Sequence, residues 1–163
     1  MTKDRILVVT TGGTLDKAYF DALSEYQVGD SIVARLLQIA RVTQPYRVHE
    51  FSRKDSLDLT DADREGLRDV IGGAPETRVV VTHGTDTMTQ SAAVLTAIAG
   101  KTIALTGALS PARFAESDAA FNLGMAFAVA QTASAGVYIA MNGQVFRAGE
   151  VRKDREQGRF VSI

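Results

Sequence analysis

The sequence has no cysteine, which excludes thiol catalysis, zinc–thiolate centres and a disulfide framework. Histidine is nearly absent too. His49 and His83 fall on separate predicted strands without ligand spacing, so neither a metal nor any other cofactor is expected. Long apolar runs are missing. The stretch behind the charged start Met1-Thr2-Lys3-Asp4-Arg5 is too short for a signal-peptide core, and the longest small-apolar region, Gly124 to Ala130, falls far short of a membrane span. The chain reads as a cytoplasmic protein. Charge of one sign is not in excess: 18 Lys and Arg stand against 19 Asp and Glu. The one basic cluster, Arg147 to Arg159, also contains Glu150, Asp154 and Glu156, so no nucleic-acid surface is expected. Three chemical signatures are absent as well. Gly12-Gly13 has no correctly spaced lysine for a phosphate-binding loop, no Gly-x-Gly-x-x-Gly follows the first apolar run, and there is no Gly-x-Ser-x-Gly elbow.

What remains is a chain of 163 residues, 45% hydrophobic, enough to bury a substantial core in one domain. Strand-like runs cover Arg5–Thr11, Tyr46–Phe51, Arg78–His83, Thr102–Thr106 and Gly136–Met141. The first and third are apolar without alternation, as expected for strands covered on both faces. Between the runs lie helical patterns. Ser31–Val42 carries apolar residues at 32, 33, 36, 37 and 40. A second helix starts at the cap Thr60 with acids in its first turn and ends at Gly72-Gly73. Thr87–Ala99 and Ser117–Ala133 are further helices, the last rich in Ala and Gly and suited to close packing. The alternation predicts a three-layer α/β/α sandwich around a mostly parallel, flavodoxin-like sheet.

In that fold class, ligands bind beyond the carboxyl ends of the strands, where strand order reverses. A strand order of 2-1-3-4-5 puts the crevice between the ends of the first and third strands. "TTGGTLDK" (Thr10 to Lys17) follows the first and "THGTDT" (Thr82 to Thr87) the third, so the two threonine-rich loops should face each other. Gly12 and Gly13 would let the chain turn sharply and bring amide groups near a bound carbonyl, while Thr11 offers a hydroxyl that a base could activate. Taken alone, Thr-Gly-Gly-Thr is as well explained as a turn. Thr85 and Asp86 together point to function: a hydroxyl beside a carboxylate able to hold a substrate ammonium. Thr82 and Thr87 read as structural or capping residues, and His83 as a satisfied structural histidine.

"TTGGTLDK" together with "VVVTHGTDTMTQSA" resembles the two signatures of the bacterial-type L-asparaginase family, and the likeness continues through "TGALSPARFAESDAAFNL" and "VYIAMNGQVFRAGEVRK". The resemblance is to that family's N-terminal domain. It implies hydrolysis of asparagine to aspartate and ammonia, with L-glutamine a poorer substrate. Residue by residue, it implies that Thr11 is the nucleophile and that Gly12 lines the site. Thr85 is the relay and Asp86 the holder of the substrate amino group. Lys153 is implied to pair with Asp86 and assist Thr85, Ser56 to bind the substrate carboxylate, and Tyr26, with Tyr19 as competitor, to activate the nucleophile. From the residues alone, Lys153 is one member of a mixed-charge run. Leu57 departs from the family by standing where many members carry a polar residue. The chain also stops at Ile163, whereas larger members continue into a second domain that completes a neighbour's site. The expectation is therefore a compact single-domain asparaginase over residues 1–163 that assembles into a homo-oligomer. Two alternatives remain: a non-catalytic amino-acid-binding module derived from an asparaginase, and an ammonia-supplying amidotransferase subunit.

Overall fold

Ile6-Leu7-Val8-Val9 forms the centre of the molecule because both faces of this strand find apolar cover. In the computed structural model, which describes residues 4–20, 25–29 and 31–163, β1 (Ile6–Gly12) is buried at every position. It pairs in parallel with β4 (Tyr46–Lys54) on one side and β5 (Arg78–Thr82) on the other. The sheet continues through β6 (Thr102–Thr106) and β7 (Gly136–Met141), all parallel, to β8 (Gln144–Arg147), which returns antiparallel at the edge. The order β4-β1-β5-β6-β7-β8 puts the parallel strands in the expected 2-1-3-4-5 arrangement.

Side-chain alternation divides the core into two layers. Leu7, Val9, Val79, Val81, Ile103, Leu105, Ile139 and Met141 face α2 (Asp61–Gly73) and α3 (Met88–Leu95). Ile6, Val8, Val80, Ala104 and Ala140 face α1 (Val33–Ile39) and α4 (Ala119–Thr132). Thr60 and Asp63 form a reciprocal capping box at the start of α2, a device that contributes about 1 kcal/mol. No residue of α4 is charged, and its buried Asn122 spends its amide on the Gly107 carbonyl at 2.9 Å and on Asp118 at 2.8 Å. At the amino ends of the strands, the buried Glu76 carboxylate is clamped by Arg5 and Arg47, each at 2.7 Å.

Two small ribbons lie outside the main sheet and were not anticipated. β2 (Lys17–Phe20) pairs with β3 (Glu25–Val28), and β9 (Val151–Asp154) with β10 (Arg159–Ser162). The second ribbon is anchored by Val151 and Phe160, both in the layer beneath α3. Among the described residues, no helix is long and apolar enough to cross a membrane.

Candidate active site

Loops from β1, β4 and β5 meet at the carboxyl end of the sheet, and glycine is what lets them meet. Gly12 and Gly13 adopt φ of +106° and +84°. A Cβ on Gly12 would lie 2.6 Å from the Lys54 backbone, and one on Gly13 would lie 2.5 Å from the Gly84 backbone. A Cβ on Gly84 would in turn strike Ser56 at 2.6 Å. Backbone packed against backbone leaves no room for any other residue there. The turn has a chemical consequence: the Gly13 N–H donates to the Lys54 carbonyl at 3.0 Å and is not free to face a substrate.

Thr11 is the penultimate residue of β1, fully buried, and its hydroxyl donates to the Thr82 carbonyl at 2.9 Å. Its own carbonyl accepts from Ser52 Oγ at 2.8 Å, so β4 fixes the residue from the other side. The first and second threonine loops are thus joined directly, as the strand order implied.

The second loop presents Thr85 and Asp86 to Lys153, which arrives from β9. Lys153 Nζ donates to Thr85 Oγ1 at 2.7 Å and to Asp86 Oδ1 at 2.8 Å. Arg155 stands 3.9 Å from the same carboxylate oxygen. Because the ammonium has only protons to give, Thr85 Oγ1 accepts there, and its own proton is directed elsewhere. The sequence pattern alone had made Lys153 a solvated member of a mixed-charge run; its side chain is instead mostly buried, 17% exposed.

Ser56 is buried in a short 3-10 turn, Ser56–Asp58. Its hydroxyl accepts from the Thr87 N–H at 3.3 Å, which leaves its proton available to a carboxylate, while its carbonyl accepts from Thr87 Oγ1 at 2.8 Å. This corrects the capping role expected of Thr87. The residue precedes α3, but its hydroxyl bonds no helix amide and ties the β5 loop to the β4 loop. Leu57 is 64% exposed. Tyr19 and Tyr26 are register partners in the β2–β3 ribbon, and their side chains lie outside the described residues.

His83 is buried and satisfied, as its position at a strand end suggested. Nδ1 lies 2.7 Å from the Gly84 carbonyl, which can only accept, so this nitrogen carries the proton. Nε2 then accepts from Ser91 Oγ at 2.7 Å, and Ser91 accepts from Arg64 Nε at 3.2 Å. Burial pushes the imidazole pKa down to about 4, so it is neutral at pH 7. Asp16, in the same "TTGGTLDK" stretch, is another buried titratable group. Its carboxylate accepts from the Ile32 N–H at 3.0 Å, and its carbonyl accepts from the Gly29 N–H at 3.1 Å and from Arg113 at 3.2 Å. Residue 16 therefore fastens the chain where the β2–β3 ribbon leaves and returns. Burial raises its pKa to about 6, opposed by the Ile32 and Ser31 hydrogen bonds and by Arg113.

Sequence reasoning passed over Ser52, Ser91, Arg64 and Asp16; Asp16 and Ser91 lie inside quoted motifs, while Ser52 and Arg64 carried no signal. Among the described residues, no group of three His, Cys, Asp or Glu stands together to bind a metal.

Comparison with known proteins gives this arrangement a context. The family profile described as "Asparaginase, N-terminal" matches residues 5–160. A glutaminase-asparaginase of Acinetobacter glutaminasificans is 30% identical over 93% of this chain and 50% of its own length. Among solved structures, L-asparaginase I of Vibrio cholerae superposes with a TM-score of 0.81 at 25% identity, covering 98% of this chain and 51% of that one. The thermostable L-asparaginase of Thermococcus kodakarensis gives 0.83 at 24% identity, with 98% and 51% covered, a likeness of fold. The chain spans about half the length of the curated relatives it matches.

Proposed function

The chain belongs to the asparaginase family, and from that premise we propose that it hydrolyses the side-chain amide of L-asparagine to L-aspartate and ammonia, with Thr11 as nucleophile. The observation that carries the reading is the contact of Lys153 Nζ with both Thr85 Oγ1 and Asp86 Oδ1, on the loop that also accepts the Thr11 hydroxyl.

Thr11 Oγ1 leaves the Thr82 carbonyl, loses its proton and attacks the amide carbon. The C–N bond then breaks, and the leaving nitrogen takes up a proton to depart as ammonia. Thr85, which accepts from Lys153, has its proton free to give to that nitrogen. In the second half, water attacks the β-aspartyl ester of Thr11 and the Thr85–Lys153 pair receives the water's proton. The acyl C–O bond breaks, aspartate leaves, and Thr11 Oγ1 regains a proton from the group that took it in the first half. Asp86, a third exposed beside the site, holds the substrate ammonium, Ser56 donates to the α-carboxylate, and Gly12 contributes backbone to the floor. Tyr26, with Tyr19 opposite it in the ribbon, completes the reading as the group that takes the Thr11 proton. L-Glutamine, one methylene longer, is the poorer substrate. A homo-oligomer belongs to the same proposal and is supported by the uncharged α4, whose Phe121 is 63% exposed.

One observation favours a second reading, a non-catalytic amino-acid-binding module: Thr11 is fully buried and its hydroxyl is engaged. Ammonia release from L-asparagine and L-glutamine by the wild type, Thr11→Ala and Lys153→Met decides between them. Turnover by the wild type that both substitutions abolish supports the hydrolase. A folded wild type that binds asparagine without releasing ammonia is the binding module.

A further inference from the structure

Lys153 reaches Thr85 and Asp86 from a ribbon that the main sheet does not hold. β9 and β10 pair only with each other, so no ladder bond from the six-stranded sheet sets where Lys153 sits. Val151 and Phe160 press the ribbon into the core, but apolar contact is non-directional and does not fix a sliding register. Among the described residues, the Glu150 N–H donates to the Arg147 carbonyl at 3.1 Å and ties the entry of β9 to the end of β8, and one directional side-chain bond holds β10 across from Lys153. The Phe160 N–H donates to Asn142 Oδ1 at 2.8 Å, and Phe160 is the register partner of Lys153. A backbone N–H spent on Asn142 points away from β9, which makes Phe160 and Lys153 a non-hydrogen-bonded pair with side chains close together.

Asn142 has a simpler explanation, which is insufficient. With Gly143 it forms the two-residue turn between β7 and β8, at φ of +54° and +69°, and Asn-Gly is a favoured pair for such a turn. The turn, however, requires only positive φ, which Gly or Asp also supplies. A side-chain bond to a residue 18 positions further on is no part of the turn. We propose that Asn142 is a positioning residue for Lys153: its side-chain carbonyl locks the β9–β10 ribbon at the point across from Lys153 and so delivers the ammonium to Thr85 and Asp86. The inference rests on the hydrolase reading for its effect on turnover, but not for its effect on the lysine's surroundings.

Two substitutions separate the bond from the turn. Asn142→Gly keeps the turn conformation and removes the acceptor; Asn142→Asp keeps both the turn and an acceptor oxygen. The first readout needs no turnover: acetylation of Lys153 by acetic anhydride, followed by peptide mass spectrometry, with the more exposed Lys54 as internal reference. Lys153 should react slowly in the wild type and in N142D, and approach the Lys54 rate in N142G. The second readout is kcat for asparagine, which should fall about 10-fold to 100-fold in N142G with KM little changed, because misplacing a reacting group by about 1 Å costs that much. N142D should recover it. Unchanged Lys153 acetylation in folded N142G, or equal defects in both variants, overturns the proposal. Altered acetylation in a protein that never releases ammonia sinks the hydrolase reading and leaves the positioning role standing.

Discussion

Lys153 Nζ lies almost equally far from Thr85 Oγ1 and Asp86 Oδ1, at 2.7 and 2.8 Å, so one ammonium serves a hydroxyl and a carboxylate at once. Only a compact, rotatable donor set does this. The planar guanidinium of arginine holds its protons in a fixed in-plane fork that does not rotate to suit both partners, and it does not give up a proton. Lys153→Arg should therefore keep Asp86 paired and lose the Thr85 relay. The expected result is a fall in kcat of about 100-fold or more with a smaller change in KM for asparagine. Steady-state ammonia release measures both. Equal losses in kcat/KM and KM with kcat intact would instead make Lys153 a substrate-binding group.

Asp16 and His83 should oppose each other in acid. Asp16 has its pKa raised from 3.8 to about 6, so its contribution to stability is full below about pH 4 and is lost as pH rises through 6. His83 has its pKa lowered from 6.5 to about 4, so its contribution is full above pH 6.5 and is lost as pH falls through 4. Each shift of about two units corresponds to about 3 kcal/mol. Between pH 4 and 6 the two largely cancel. Asp16→Asn, which retains an acceptor for the Ile32 N–H, should expose the His83 slope, with urea midpoints falling steadily as pH drops below 6. A wild-type curve as steep as that of the variant would refute the compensation.

Gly13→Ala should be among the most damaging single changes in the chain. The new methyl group meets Gly84 backbone at 2.5 Å in a left-handed conformation, and neither partner is the end of a flexible side chain. With φ of +84° and ψ of −173°, the conformation alone costs about 1–3 kcal/mol, and the clash forces the two threonine loops apart. A lower urea midpoint together with loss of ammonia release is expected; an unchanged midpoint would mean that the loops separate freely.

Ser91→Ala should remove two partners at once, leaving His83 Nε2 and Arg64 Nε unpaired in a buried place. A loss of about 2–4 kcal/mol is expected from denaturant titration, with Ser91→Thr recovering most of it. The effect on kcat should be smaller than for Lys153→Arg, because the His83–Gly84 bond survives.

The five parallel strands and four helices were legible because each is built on a long repeating pattern: continuous apolar runs for strands covered on both faces, a stripe in α1, and a capped start in α2. The strand order was an assumption from fold class that the hydrogen-bond pairing bears out. The β2–β3 and β9–β10 ribbons were not legible. Four-residue strands such as Val151-Arg152-Lys153-Asp154 carry too few positions to show a period, and their pairing depends on partners rather than on composition. The same reason hid Lys153 from pattern reading. Its neighbours along the chain are charged and solvated, and its partners lie 67 and 68 residues away, so only the family resemblance singled it out. Thr87 went astray for another reason: threonine before a helix usually caps it, but here the Ser56 carbonyl lay closer to hand.

That the β9–β10 hairpin stands outside the main sheet has a consequence in time. The six-stranded sheet can pair without this hairpin, but the ammonium can join Thr85 and Asp86 only after the hairpin docks. During refolding, the six-stranded sheet and its flanking helices should form before the first turnover appears, and Val151 and Phe160 should become buried together with it. Until the hairpin is seated, the chain would be folded in outline while still inert.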